Sequence, residues 1–149
     1  MEYSTAARVL GLDVGEKTIG LAVSDGLGLT AQPLGVLRRR TPETDLAALM
    51  ERVRELGVQA FVVGLPRNMN GTFGPAAESC RSFAQILGET SGLPVHMVDE
   101  RLTTVAAHRT LLEADVSRAR RRQVVDATAA ALILQTYLDR RSSTSRGVE

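Results

Sequence analysis

Aromatic side chains make up only 3% of this 149-residue chain, and tryptophan is absent. Base stacking therefore cannot be a widespread mode of contact, and any nucleic acid should be gripped mainly through its backbone. The single cysteine, Cys80, excludes an internal disulfide and a multi-thiolate metal site, fits a reducing cytosol and points to helix packing for that residue. No segment reaches the roughly 18 apolar residues of a membrane span, and the polar start MEYSTAAR does not read as a signal peptide. A cytoplasmic protein without membrane attachment is expected. Lysine is nearly missing, since every basic residue except Lys17 is arginine.

The arginines are clustered at Arg38 to Arg40, Arg118, Arg120 to Arg122, and Arg140 with Arg141, although the net charge is only +1. The planar guanidinium fork suits phosphates, whereas a charged run is also the ordinary make-up of a solvated face. A hydrophobic content of 44% argues against disorder, and the length suits one domain with a real core. Without repeats or an interdomain linker, a single domain over 1–141 is expected, with 142–149 a frayed tail.

The segment Arg8 to Asp25 reads as a tight hairpin. Val9 to Val14 and Thr18 to Ser24 have strand composition, and Gly15, Glu16 and Lys17 suit the connection. Asp13 lies inside the first strand, where an unpaired buried acid is costly. Gly11 and Gly15 flank it without side chains, which reads as room for a phosphate or a metal ion. A capping or turn role for Asp13 is the alternative.

A third strand is expected over Pro33 to Leu37. Thr41-Pro42-Glu43 then opens a helix that runs to about Leu56 and stops at Gly57, with Leu46, Leu49, Met50, Val53 and Leu56 at helical spacing. Gln59 to Gly64 is a nearly continuous apolar strand, as for one covered on both faces. The loop Leu65 to Gly74 follows its carboxyl end, where open α/β sheets bind ligands, so Arg67, Asn68 and Asn70 are candidates for phosphate or sugar contact or for ordinary Asn-Gly turn chemistry. A second helix is expected over Pro75 to Glu89, a fifth strand over Pro94 to Val98, a third helix over Leu102 to Glu113, a basic mobile loop over Ala114 to Arg122, and a last helix from Gln123 to about Leu138. His96 and His108 fit neither a metal spacing nor a nucleophilic triad and read as structural.

The last helix places Asp126 on one face with Ala129, Ala130, Ile133 and Tyr137, so an acid points with the packing face. A first-turn carboxylate also serves as a dipole partner. Asp13 lies near the end of the first strand and Glu100 just beyond the fifth. If those strands are parallel neighbours in space, three carboxylates meet, and divalent cations relieve their repulsion. Oxygen-only ligands suit Mg²⁺ or Mn²⁺, and a pair of such ions about 4 Å apart suits phosphodiester hydrolysis.

Four stretches in order closely resemble the YqgF family, also called RuvX, of ribonuclease H-like nucleases. They are Asp13 to Gly20 (Asp-x-Gly-x-Lys-x-Ile-Gly), Val63 to Pro66 with Asn68-Met69-x-Gly71, Asp99 to Thr104, and Val125-Asp126-Ala127 before an alanine-rich helix. The resemblance runs from about Arg8 to Leu138. It implies an α/β fold with a five-stranded mixed sheet of order 3-2-1-4-5 and helices on both faces. It further implies that Asp13, Glu100 and Asp126 are the catalytic and metal-holding acids. The side chains expected to meet nucleic acid are Lys17, Arg67, Asn68, Arg101, Arg120, Arg121 and Arg122. The implied activity is maturation of the 5′ end of pre-16S ribosomal RNA, on precursor particles or free RNA. Resolution of four-way DNA junctions is the alternative. A monomer would suffice for RNA trimming, whereas symmetric junction cleavage calls for a homodimer. Two departures from the family pattern are Asn70, where many members carry an acid, and Val124, where a basic residue often precedes the final Asp.

Two other classes compete. An actin-like phosphotransferase also opens on an Asp-x-Gly hairpin, but it clamps nucleotide between two domains and this chain has length for one. A noncatalytic RNA-binding domain would have no need of all three acids.

Overall fold

The computed structural model describes residues 8–66, 70–102 and 127–141. Five strands, β1 (Arg8–Val14), β2 (Thr18–Ser24), β3 (Ala31–Arg38), β4 (Val58–Leu65) and β5 (Val95–Asp99), form one sheet in the order β3-β2-β1-β4-β5. The first three make an antiparallel meander, and β4 and β5 run parallel to β1. This is the order and sense implied by the resemblance.

Strand alternation splits the sheet into two apolar faces. Leu10, Leu12, Leu21, Phe61 and Val63 point to one, where α1 (Pro42–Leu56) contributes Leu49 and α2 (Pro75–Ser91) contributes Phe83, Ala84 and Leu87. Val9, Ala22, Val62 and Val98 point to the other, which is covered by Ala129, Ala130, Ile133, Leu134 and Leu138 of a helix at 127–141, here α3. Buried on both sides, β1 and β4 need the continuous apolar runs their sequences show.

The local signals act as expected. The Thr41 hydroxyl accepts from the Thr44 N–H at 3.1 Å, Pro42 occupies the first turn, and Gly57 ends α1 in the left-handed region at φ 69°. Several boundaries move outward. β3 starts at Ala31, since Ser24 pairs with Ala31, and a register shift between Leu21 and Ala22 takes up Pro33. α2 runs past Glu89 to Ser91 before Gly92 turns left-handed, and β5 extends to Asp99 because that residue pairs with Leu65. Glu100–Leu102 then forms a short 3-10 turn. The expected helix from Leu102 to Glu113 beyond that turn, the basic loop Ala114 to Arg122 and the tail at 142–149 lie outside the described residues.

Gly11 has a different reason from the one its sequence suggests. A Cβ there would stand 2.8 Å from the Cβ of Leu134 and 3.1 Å from the Ala130 carbonyl. The glycine is required because α3 lies directly on β1, and the space it leaves is filled by that helix. Gly15 likewise faces its own turn, with a would-be Cβ 3.1 Å from the Thr18 carbonyl and its N–H donating to that oxygen at 2.9 Å.

Candidate active site

Register fixes where the acids fall. Leu12 of β1 pairs with Val63 of β4, and Leu65 of β4 pairs with Asp99 of β5, so Asp13 and Glu100 both emerge at the carboxyl end of the parallel strands. Asp13 follows Val9 and Gly11 on the α3 face and is buried, with 7% of its surface exposed. Glu100 is half-buried, and its Oε2 lies 3.1 Å from the point a Cβ on Gly64 would occupy. The same point is 2.5 Å from Cδ1 of Ile133 in α3. Gly64 thus lets Ile133 of α3 and the Glu100 carboxylate both close on β4, in the space a side chain there would take.

Both acids act on a third group. Cys80, buried on α2, lies against the carbonyl of Val14 with its sulfur 3.6 Å away. Burial pushes its thiol up to about 11, and the charges of Glu100 and then Asp13 push in the same direction against the opposing pull of Arg39. Two carboxylates at one end of the sheet concentrate negative charge there, and their hard oxygen donors suit a divalent cation. Among the described residues no group of three His, Cys, Asp or Glu side chains forms a metal cluster. Asp126, the third acid of the expected set, lies outside the described residues, directly ahead of the buried Ala127.

The remaining candidates divide. Lys17 is exposed on the hairpin connection. Arg101 is fixed by its neighbour, with Nη2 2.8 Å and Nε 3.2 Å from Asp99 Oδ2, which holds the guanidinium's pKa above its ordinary range. Asn70 does turn chemistry, its Oδ1 accepting from the Thr72 N–H at 3.1 Å and the Thr72 hydroxyl at 2.6 Å. Arg67, Asn68 and Arg120 to Arg122 lie outside the described residues. His96 stacks on Tyr137 with ring centroids 5.0 Å apart, in keeping with a structural part. Sequence reading missed Gly64 as the point where Ile133 and Glu100 close on β4. It also took Arg38 to Arg40 as one charged run, although Arg39 turns inward.

Comparison with known proteins bears on this arrangement. The RuvX family, described as Holliday junction resolvase, matches residues 7–140. The chain belongs to the RuvX family. Its RuvX relatives include proteins carrying the name of candidate pre-16S rRNA nuclease. One, from Moorella thermoacetica, is 65% identical over 133 residues, covering 89% of this chain and 95% of the relative. Another, from Symbiobacterium thermophilum, is 65% identical over 136 residues, covering 91% and 94%. Among solved structures, Thermus thermophilus RuvC in complex with Holliday junction substrate superposes with a TM-score of 0.58 at 18% identity, covering 93% of this chain and 97% of that one. That likeness establishes a shared fold. RuvX membership makes the chain a nuclease with a nucleic-acid partner and divalent-metal chemistry. Among the described residues no helix is long and apolar enough to cross a membrane.

Proposed function

We propose that this chain is a cytoplasmic endonuclease that hydrolyses phosphodiester bonds in the 5′-end maturation of pre-16S ribosomal RNA, with Asp13, Glu100 and Asp126 holding Mg²⁺ or Mn²⁺, two ions in the working state. The observation that supports the reading is the parallel register of β1, β4 and β5, which brings Asp13 and Glu100 to the same end of the sheet. Bound at these acids, the divalent ions supply the charge that activates water and stabilises the leaving oxygen. The chain's own part is placement. β1 and the turn after β5 carry the two carboxylates, and Gly64 lets Glu100 lie close against β4. Lys17, Arg67, Asn68 and Arg120 to Arg122 are the side chains to grip the phosphate backbone, and Arg101 joins them if its fork exchanges Asp99 for a phosphate.

The 65% identity to relatives named for pre-16S rRNA favours RNA as substrate. The family description favours the second reading, resolution of four-way DNA junctions by a homodimer. Incubating a 5′-extended 16S rRNA precursor and a four-way junction side by side, with Mg²⁺ and with Mn²⁺, decides between them. Cleavage of the precursor alone supports the first reading. Symmetric cleavage of the junction alone would overturn it.

A further inference from the structure

β3 ends at the first of a run of three arginines, Arg38 to Arg40, and the middle one is built into the fold. Arg39 donates its backbone N–H to the Lys17 carbonyl at 2.9 Å and Nη1 to the Gly15 carbonyl at 2.8 Å. Both acceptors belong to the connection between β1 and β2, which begins two residues after Asp13. The other edge of the same guanidinium is taken by Asp45, whose Oδ2 lies 3.3 Å from Nε. Asp45 is 2% exposed, and its Oδ1 accepts the Arg40 N–H at 2.9 Å. A buried carboxylate persists only when paired and hydrogen-bonded, so Asp45 commits the fork to one orientation. The guanidinium also lies 5.2 Å from the ring centre of Phe83 in α2. Arg39 therefore ties the hairpin connection to the first turn of α1 and to the middle of α2.

We propose that Arg39 is a positioning residue for the nuclease reaction: anchored by Asp45, it holds the Gly15 to Lys17 connection so that the Asp13 carboxylate keeps its place opposite Glu100. This rests on the reading of those two acids as metal-holding. A lysine cannot replace the arginine, because one ammonium does not span Asp45 and the Gly15 carbonyl in the fixed geometry of a planar fork. The role differs from phosphate binding, since Nε and Nη1 of the fork are already engaged within the fold.

The test uses the full chain in three forms beside the wild type: Arg39→Lys, Asp45→Asn and, as control, Asp13→Asn. Free Mn²⁺ is followed by electron paramagnetic resonance in titrations without nucleic acid, and kcat and KM are measured on a precursor RNA fragment below the melting temperature of every form. Arg39→Lys should bind Mn²⁺ several-fold more weakly and lose roughly ten- to a hundredfold in kcat with KM little changed, the pattern of a misplaced reacting group. Asp45→Asn, which keeps shape and an acceptor for the Arg40 N–H, should show the same split in milder form and carries the test if Arg39→Lys does not fold. A lowered melting temperature with Mn²⁺ affinity and kcat unchanged would reduce Arg39 to a structural tie and overturn the proposal. A raised KM with kcat unchanged would make it a substrate contact and overturn it equally. If Asp13→Asn binds Mn²⁺ as the wild type does, the metal-site reading itself fails, a result recognisable without reference to Arg39, and the proposal falls with it.

Discussion

Glu100 reaches back over Gly64, its Oε2 3.1 Å from where a Cβ on that glycine would stand. The contact makes Gly64 the point at which the sheet, α3 and the acidic end meet. Its backbone lies outside the left-handed region, so the requirement for glycine is one of space.

Gly64→Ala should therefore destabilise the protein by about 1–3 kcal/mol, the usual range for an inserted carbon in a filled core. It should also lower cleavage by displacing the Glu100 carboxylate. Adding Ile133→Val removes the Cδ1 atom that stands 2.5 Å from the new carbon and should recover stability more than activity. Urea unfolding and cleavage rates on the two variants check this. Wild-type stability in Gly64→Ala would show that the helix yields at no cost.

Asp13→Asn should keep the fold and most nucleic-acid binding while cleavage falls roughly a thousandfold or more, because the amide keeps the shape of the ligand and loses its charge. Chelation of divalent ions should have the same effect on the wild type, reversed by added Mg²⁺ or Mn²⁺. Circular dichroism and gel assays on purified variant suffice. Activity retained at matched purity would assign the chemistry to other residues.

The thiol of Cys80 provides a pH signature. Its pKa is raised from 9.0 to about 11 in the fold by burial first, then by Glu100 and Asp13. Below pH 9.0 folded and unfolded chains both keep the proton and this group adds no pH dependence. Between 9.0 and about 11 the unfolded chain gives up the proton and the folded one retains it, so stability falls as pH rises. Cys80→Ala should remove that part of the loss, measured by denaturant unfolding at the two ends of the window. In Asp13→Asn the folded thiol should titrate lower, since one of the two charges acting against ionisation is gone. Thiolate absorbance against pH reads this directly, and an unmoved titration would place Asp13 outside electrostatic reach of Cys80.

For Arg120, Arg121 and Arg122 changed together to alanine, affinity should drop similarly on all nucleic-acid sequences. The log–log salt dependence should become shallower by about one unit for each phosphate that an arginine no longer neutralises. An unchanged slope would identify these arginines as a solvated face and leave Arg67, Lys17 and the exposed Arg38 and Arg40 to meet the nucleic-acid backbone.

The chain's own order of residues determined the elements and the family. Thr41-Pro42 and Gly57 bracket α1 because capping and left-handed geometry are local properties, and the apolar run of β4 announces a strand covered on both faces because burial is periodic along the backbone. That Asp13 and Glu100 share one end of the sheet could be suspected from their places at two strand ends, but only the parallel register of β1, β4 and β5 brought those ends to the same side. Three further facts needed the tertiary structure. Gly11 serves the approach of α3, Gly64 admits Ile133 and the Glu100 carboxylate against β4, and Arg39 turns in to close the hairpin while its neighbours stay exposed. Each depends on a residue distant along the chain, Leu134, Ile133 or Gly15 with Phe83, and no local pattern specifies which side chain will occupy a given space once helices and sheet are brought together.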